Sequence, residues 1–261
     1  MWTVRMYVRL LGTHLRAAVQ YEADFWIMIV AAVLSQGVGL AFLGALFSRV
    51  PDLNGWLFWQ VALMYALVTI TEGVGSLLFE GTWRLAGAVN SGELDYVITR
   101  PYPIALAVMS SAVGWNGLGN LVLGGAVVAV ALPKADLNWS PYLVVMAVVL
   151  LISAVIIKLA INLATNAMAF WLQGPNPVFA FAVHQVGELA RYPLGIFPAA
   201  MRVVLTVALP LAFTSYYPVS YLSGGADRAL GLATPLVAVC CVGVALVVFR
   251  RGLRRYESAG S

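Results

Sequence analysis

The sequence predicts an all-α polytopic membrane protein with six transmembrane helices, an N-terminal amphipathic interfacial helix and one short cytoplasmic helix. Three observations carry this. Hydrophobic residues make up 62% of the 261 and charged residues only 10%, whereas soluble domains carry about 25% charged residues. Apolar runs long enough to cross a hydrocarbon core of ~30 Å recur along the chain. They are continuous rather than alternating, which argues against a transmembrane barrel.

The apolar runs place spans at about 25–48, 56–79, 104–132, 142–171, 197–218 and 232–250. Pro198, Pro210 and Pro218 interrupt the fifth, which reads as a kinked helix whose freed carbonyls are satisfied by neighbours. With both termini in the cytoplasm, the inner side receives Arg5, Arg9, Arg16, Arg84, Arg100, Arg191, Arg202, Arg250, Arg251, Arg254 and Arg255. The outer side keeps Arg49, Lys134 and Arg228, while Lys158 lies within a span. Cytoplasmic loops are enriched in basic residues, so this asymmetry predicts an N-in, C-in protein of the plasma (inner) membrane. No repeat or soluble domain interrupts the pattern, and residues 1–261 read as a single membrane domain.

Residues 1–22 form the expected interfacial helix. At 100° per residue Arg5, Arg9 and Arg16 fall within an arc of about 40°, on a different side from Val4, Val8, Leu11 and Leu15. Such a helix lies on the membrane with its arginines toward anionic headgroups, or toward a cytoplasmic subunit as well. The segment has no continuous apolar core, so it does not read as a cleavable signal peptide. The net charge of +4 points to membrane lipids and gives no reason to invoke nucleic acid.

Several chemistries are missing. A P-loop needs a Gly-Lys pair after a glycine-rich turn, but the two lysines follow Pro133 and Ile157. His14 and His184 have no partner at metal-ligand spacing, and no GxSxG or HExxH occurs. No metal, cofactor or catalytic residue is expected on this chain. Cys240 and Cys241 are adjacent and read as small packing residues rather than a disulfide.

The stretch NSGELDYVITRPYP, residues 90–103, is unusually polar for its surroundings. Asn90 or Ser91 suits an N-cap, and Glu93 and Asp95 fall where the helix dipole favours acids. Leu94, Val97 and Ile98 form a short apolar stripe, and Pro101 ends the helix after Arg100. The expected product is a two-turn amphipathic knob at about 91–100, marginal alone and therefore packed on something. From physics alone, a capped surface turn explains it equally well.

The residues GELDYVITRP, followed by an apolar run, resemble the signature of permease subunits of the type-2 family of ATP-binding-cassette exporters. More narrowly, they resemble a compact bacterial six-span subgroup with a Gly-Glu-Leu-Asp…Arg-Pro loop. The segment GELARYPLGIFP (187–198) is similar to the family's stretch before the fifth span. Tyr96-Val97-Ile98-Thr99 departs from the leucine-rich run usual there. The resemblance implies that 91–100 is a coupling helix docked on a separate ATPase. Leu94 and Ile98 would be apolar anchors; Glu93, Asp95 and Arg100 would set the register, flanked by Gly92 and Pro101. It also implies two ATPase subunits carrying ATP and Mg, and a second permease subunit, identical or homologous. Cargo, a hydrophobic or amphipathic small molecule, lipid or peptide, would leave between the permeases.

Inside the spans, Glu72 and Lys158 each lie about 25 Å from the outer end at 1.5 Å per residue, which predicts an ion pair. Lys158, Asn162 and Asn166 form one helical stripe; Asn116 and Asn120 form another among glycines. Both stripes are compatible with helix-packing hydrogen bonds or with lining a path. Tyr216, Tyr217 and Tyr221 fit an aromatic belt, or, by the resemblance, an outer gate. Two rival classes remain: an ion-coupled secondary transporter using Glu72 and Lys158, and a membrane assembly or scaffold protein.

Overall fold

The computed structural model describes residues 7, 9, 12, 13, 22–99, 101–135, 137, 140–172 and 174–257. Arg5 and Arg16 of the expected interfacial helix, and Arg100 of the knob, lie outside the described residues. Arg9 is helical and exposed, and the Tyr7 hydroxyl donates to the Leu78 carbonyl. The described residues are helical, with one isolated bridge between Leu53 and Trp56. Five helices are long and apolar enough to cross a membrane.

Helix α1, Glu22–Phe47, opens with Glu22 and Asp24 in its first turn, where the dipole favours acids. It is apolar except for Ser35 and Gln36 past its first turns and buries only Leu43, as suits a helix facing lipid on most sides. The chain then reverses tightly. Asn54 and Gly55 take φ of 55° and 85°, and the Gly55 N–H donates to Asp52 Oδ1 at 2.8 Å. Helix α2, Phe58–Phe79, is central: every residue from Val61 to Ala66 is buried. It continues through a 3-10 turn into α3, Leu85–Ser91.

Asn90 and Ser91 do not cap the knob. They close α3, and Gly92 at φ 77° forms its left-handed C-terminus, a conformation that costs glycine nothing. The knob itself, α4, spans Leu94–Ile98 with Glu93 at its N-cap position and no side-chain cap. It is shorter than the expected 91–100 because Gly92 spends three residues ending the previous helix.

The expected span 104–132 is divided into α5, Ile104–Met109, and α6, Asn116–Ala131. At the break the Ser110 and Ser111 hydroxyls bond back to the carbonyls of Leu106 and Val108, both at 2.8 Å. The Gly114 N–H donates to the Ser76 carbonyl at 2.8 Å. Irregular backbone is tolerated at membrane depth when protein satisfies it in this way. Above the break α6 lies directly on α2: a Cβ on Gly117 would stand 2.5 Å from the Gly73 carbonyl oxygen. Only glycine permits that approach.

Helix α7, Pro141–Asn166, starts with Pro141 at its first position and Ser140 capping the Leu143 N–H at 3.2 Å. Next come α8, Val178–Gly187, and a 3-10 turn, Glu188–Arg191.

The fifth passage differs from expectation. Contacts trace residues 175–195 across the bundle: Pro175 approaches Gly87, His184 stacks on Trp83, Gly187 meets Lys158, Arg191 bonds Tyr65 and Gly195 meets Asn54. The segment thus passes from the α4 end to the end holding the Asp52–Gly55 turn. The expected span at 197–218 is instead two short pieces, α9 (Ala199–Val203, extended by a π-helical turn to Ala208) and α10 (Tyr216–Leu222). Pro198 starts α9, Pro210 denies a donor after it, and Pro218 falls in the first turn of α10, where its missing N–H is free of cost. Arg191 is consequently buried inside the bundle. Arg202 bonds the Phe197 carbonyl at 2.9 Å, beside Gly195 and so at the Asn54 end. Neither sits in the inner loop the sequence suggested.

Tyr216 and Tyr217 are buried and pack on Trp56 and Phe213 rather than standing in a lipid-facing belt. Tyr221 bonds Tyr142 at 3.2 Å. After a short α11, Arg228–Gly231, the chain returns along α12, Thr234–Arg255. One core cluster surrounds the middle of α2. A second, built from Leu85, Leu94, Phe170 and Phe249 among others, lies under α4.

Candidate functional site

Two features stand out: a polar cleft within the bundle and the exposed knob. The cleft, about 700 Å³, opens between α1, α2, α6 and the 178–191 passage. Serine and glutamine from α1 (Ser35, Gln36), acids from the α2 line (Glu72, Glu80) and the amides Asn116 and Asn120 from α6 face into it. His184, Glu188 and Arg191 complete it. Successive turns of α2 bring Glu72, Ser76 and Glu80 to one face, because residues four apart share it.

Lys158 Nζ contacts Glu72 Oε1, and both side chains are nearly buried, 10% and 13% exposed. The desolvation of such a pair is offset only while both charges are present. His184 Nδ1 lies 3.6 Å from the same Glu72 oxygen. A second pair joins Arg191 to Glu188 at 2.8 Å. The Arg191 guanidinium also donates to the Tyr65 hydroxyl at 3.0 Å and sits 4.6 Å from the Tyr65 ring centre. Tyr65 in turn donates to the Gln36 carbonyl at 2.7 Å. The lipid-facing α1 is thereby tied through α2 to the fifth passage.

Glu72, His184 and Glu188 offer ligand atoms within 4.8 Å of one another, which the sequence separation of His184 had concealed. The spacing suits a metal ion, but Lys158 and Arg191 already neutralise the two carboxylates. A cation bound there would have to displace both.

Of the polar residues singled out in the sequence, Glu72, Asn116 and Asn120 line the cleft. Lys158 and Asn162 line a smaller space that Glu72 also borders. Asn166 is buried and donates within its own helix, to Asn162 O at 2.9 Å and Oδ1 at 2.8 Å, so it belongs to the internal bonding of α7. Sequence reasoning assigned no site role to Tyr65, Glu80, His184, Glu188 or Arg191. Their positions along one face of α2, and the polar residues punctuating 178–191, were the available signals.

At the α4 end, Leu94 is fully buried on Leu85, Phe170 and Phe249. It anchors the knob to this chain's own bundle and is not available as a docking anchor in this arrangement, because its side chain turns inward, whereas Ile98 of the same stripe is exposed. Asp95 lies beside Tyr256. Burial and that carboxylate push the Tyr256 phenol above its ordinary value. Outward-facing positions are Glu93, Tyr96 (75% exposed), Ile98 (40%), Thr99 and Pro101. Gly92 is half-buried at the hinge between α3 and α4.

Comparison with curated proteins and with solved structures gave no match. The family model described as ABC-2 family transporter protein matches residues 33–260, a range that takes in α2, the knob, the cleft and α12. The chain belongs to the ABC-2 transporter family and is the membrane-embedded permease component of an ABC transporter.

Proposed function

We propose that this permease serves an ATP-driven exporter and that α4 is the surface on which a separate ATP-binding-cassette ATPase docks. The observation that carries this is the seating of α4. Leu94 plugs it into a cluster shared with α3, α7 and α12, while Tyr96 and Ile98 remain exposed beside Glu93. A helix of five residues is not stable alone. Fixed to α3 and to the long helices α7 and α12, it can transmit a push. The exposed apolar pair supplies contact area, and Glu93, Asp95 and Arg100 supply electrostatic register.

ATP and Mg belong to the partner in this scheme, since the chain has no P-loop. Two ATPase subunits and a second permease, identical or homologous, complete the assembly. The cleft holds a hydrophobic or amphipathic cargo. Among the described residues, the segments at the α4 end carry six arginines (9, 84, 250, 251, 254 and 255). Arg49, Lys134, Arg202 and Arg228 belong to the other end. By the positive-inside rule the α4 end is cytoplasmic, in the plasma membrane, with both termini inside.

A single cysteine at Ile98, in a chain carrying C240S and C241S, tests the docking. Cross-linking in native membranes is expected to give one major adduct whose partner peptides contain a P-loop. An adduct only with proteins lacking one, or labelling from the outer side of the membrane, overturns the proposal.

A further inference from the structure

We infer that the Glu80 end of the cleft binds the protonated amine of a cationic amphiphile, an inference that rests on the cleft being the cargo site of the proposed exporter. Three carboxylates face the cleft, and two are already neutralised: Glu72 by Lys158 and Glu188 by Arg191. Among the described residues Glu80 makes no ion pair. Ser76, one turn back on the same face, offers it only a hydroxyl, and Arg84 is exposed. A carboxylate in that setting lacks a cation.

A second acceptor lies in the same cleft. Asn120 is 5% exposed, and its Oδ1 is buried without a hydrogen-bond donor. A buried acceptor left unsatisfied is costly, so both groups call for the same thing, an N–H donor. Glu80 adds the requirement that the donor be positively charged. Trp83 and Phe181 line the same cleft and supply aromatic surface for the carbon skeleton and for cation–π attraction. An anionic head is disfavoured, because the two buried cations are already engaged and Glu80 would repel it. A neutral lipid tail would leave both acceptors unpaired. The ligand class is therefore an apolar or aromatic body carrying an N–H-bearing ammonium.

The test is equilibrium binding of quinacrine, a fluorescent amphiphilic amine, to the full chain in phosphatidylcholine nanodiscs. The matched acridine without the amine side chain is the neutral control. Wild type is expected to prefer quinacrine. Glu80→Gln is expected to weaken quinacrine about tenfold and leave the neutral acridine unchanged, Glu80→Asp to keep most of the affinity, and Asn120→Leu to weaken it several-fold. Equal affinity of wild type and Glu80→Gln for quinacrine, or equal binding of amine and neutral probe, overturns the inference. The measurement needs no ATPase. Quinacrine binding through Glu80 in a chain that docks no ATPase sinks the exporter proposal alone; normal docking with no amine preference sinks this inference alone.

Discussion

Replacing Lys158 by alanine is expected to destabilise the folded chain by about 3–5 kcal/mol, the cost of stranding a buried charge. Glu72 would keep His184 at 3.6 Å but lose the ammonium that contacts its oxygen. Glu72→Ala is expected to cost a similar amount by stranding Lys158, which is nearly buried and lies close to Gly187. The double exchange, Glu72→Lys with Lys158→Glu, restores opposite charges at the same contact and is expected to recover much of the loss. Thermal unfolding of the purified chain in detergent checks this. A double exchange no more stable than either single exchange would show that the two side chains do not support each other.

Leu94→Asp is expected to disable the knob while leaving the spans assembled. The leucine is wholly buried among Leu85, Phe170 and Phe249, so a carboxylate there must leave the cluster and carry α4 with it. Truncating such a side chain typically costs about 2–5 kcal/mol, and burying an unpaired charge costs more. The strain falls on a five-residue helix, which has little else to hold it. Membrane levels of the variant are expected to stay near wild type, while ATPase co-purification and cargo-stimulated ATP hydrolysis drop at least tenfold. Leu94→Met, which preserves volume and apolarity, is expected to retain both. A Leu94→Asp chain with undiminished coupling would mean that α4 transmits nothing.

These two residues also show what the sequence could and could not disclose. Glu72 and Lys158 were legible as partners because two continuous apolar runs give depth by simple counting, and the structure puts them in contact. The knob was legible as an element, since polar residues and prolines interrupt the apolar pattern there. Which way Leu94 points was not: an apolar stripe on a short helix fits its own bundle or a partner equally well. The fifth passage was misplaced for a related reason. Pro175, Pro177, Pro193 and Pro198, together with His184, Glu188 and Arg191, break the apolar run at 175–198, so hydropathy favoured the greasier stretch that follows. The same misplacement hid the cleft. Arg191 meets Tyr65 and His184 meets Glu72 only once the 178–191 segment is laid against α2, and no local spacing records those contacts.

The ABC-2 membership and the sealed base of α4 lead to one decisive observation: a density map of the intact native assembly with its ATPase bound. The account predicts that residues 93–99 lie in a groove of the ATPase, with Tyr96 and Ile98 at the contact and Leu94 still seated on Phe170 and Phe249. A map in which that segment faces away from the ATPase, or lies on the opposite side of the membrane from it, would contradict the account.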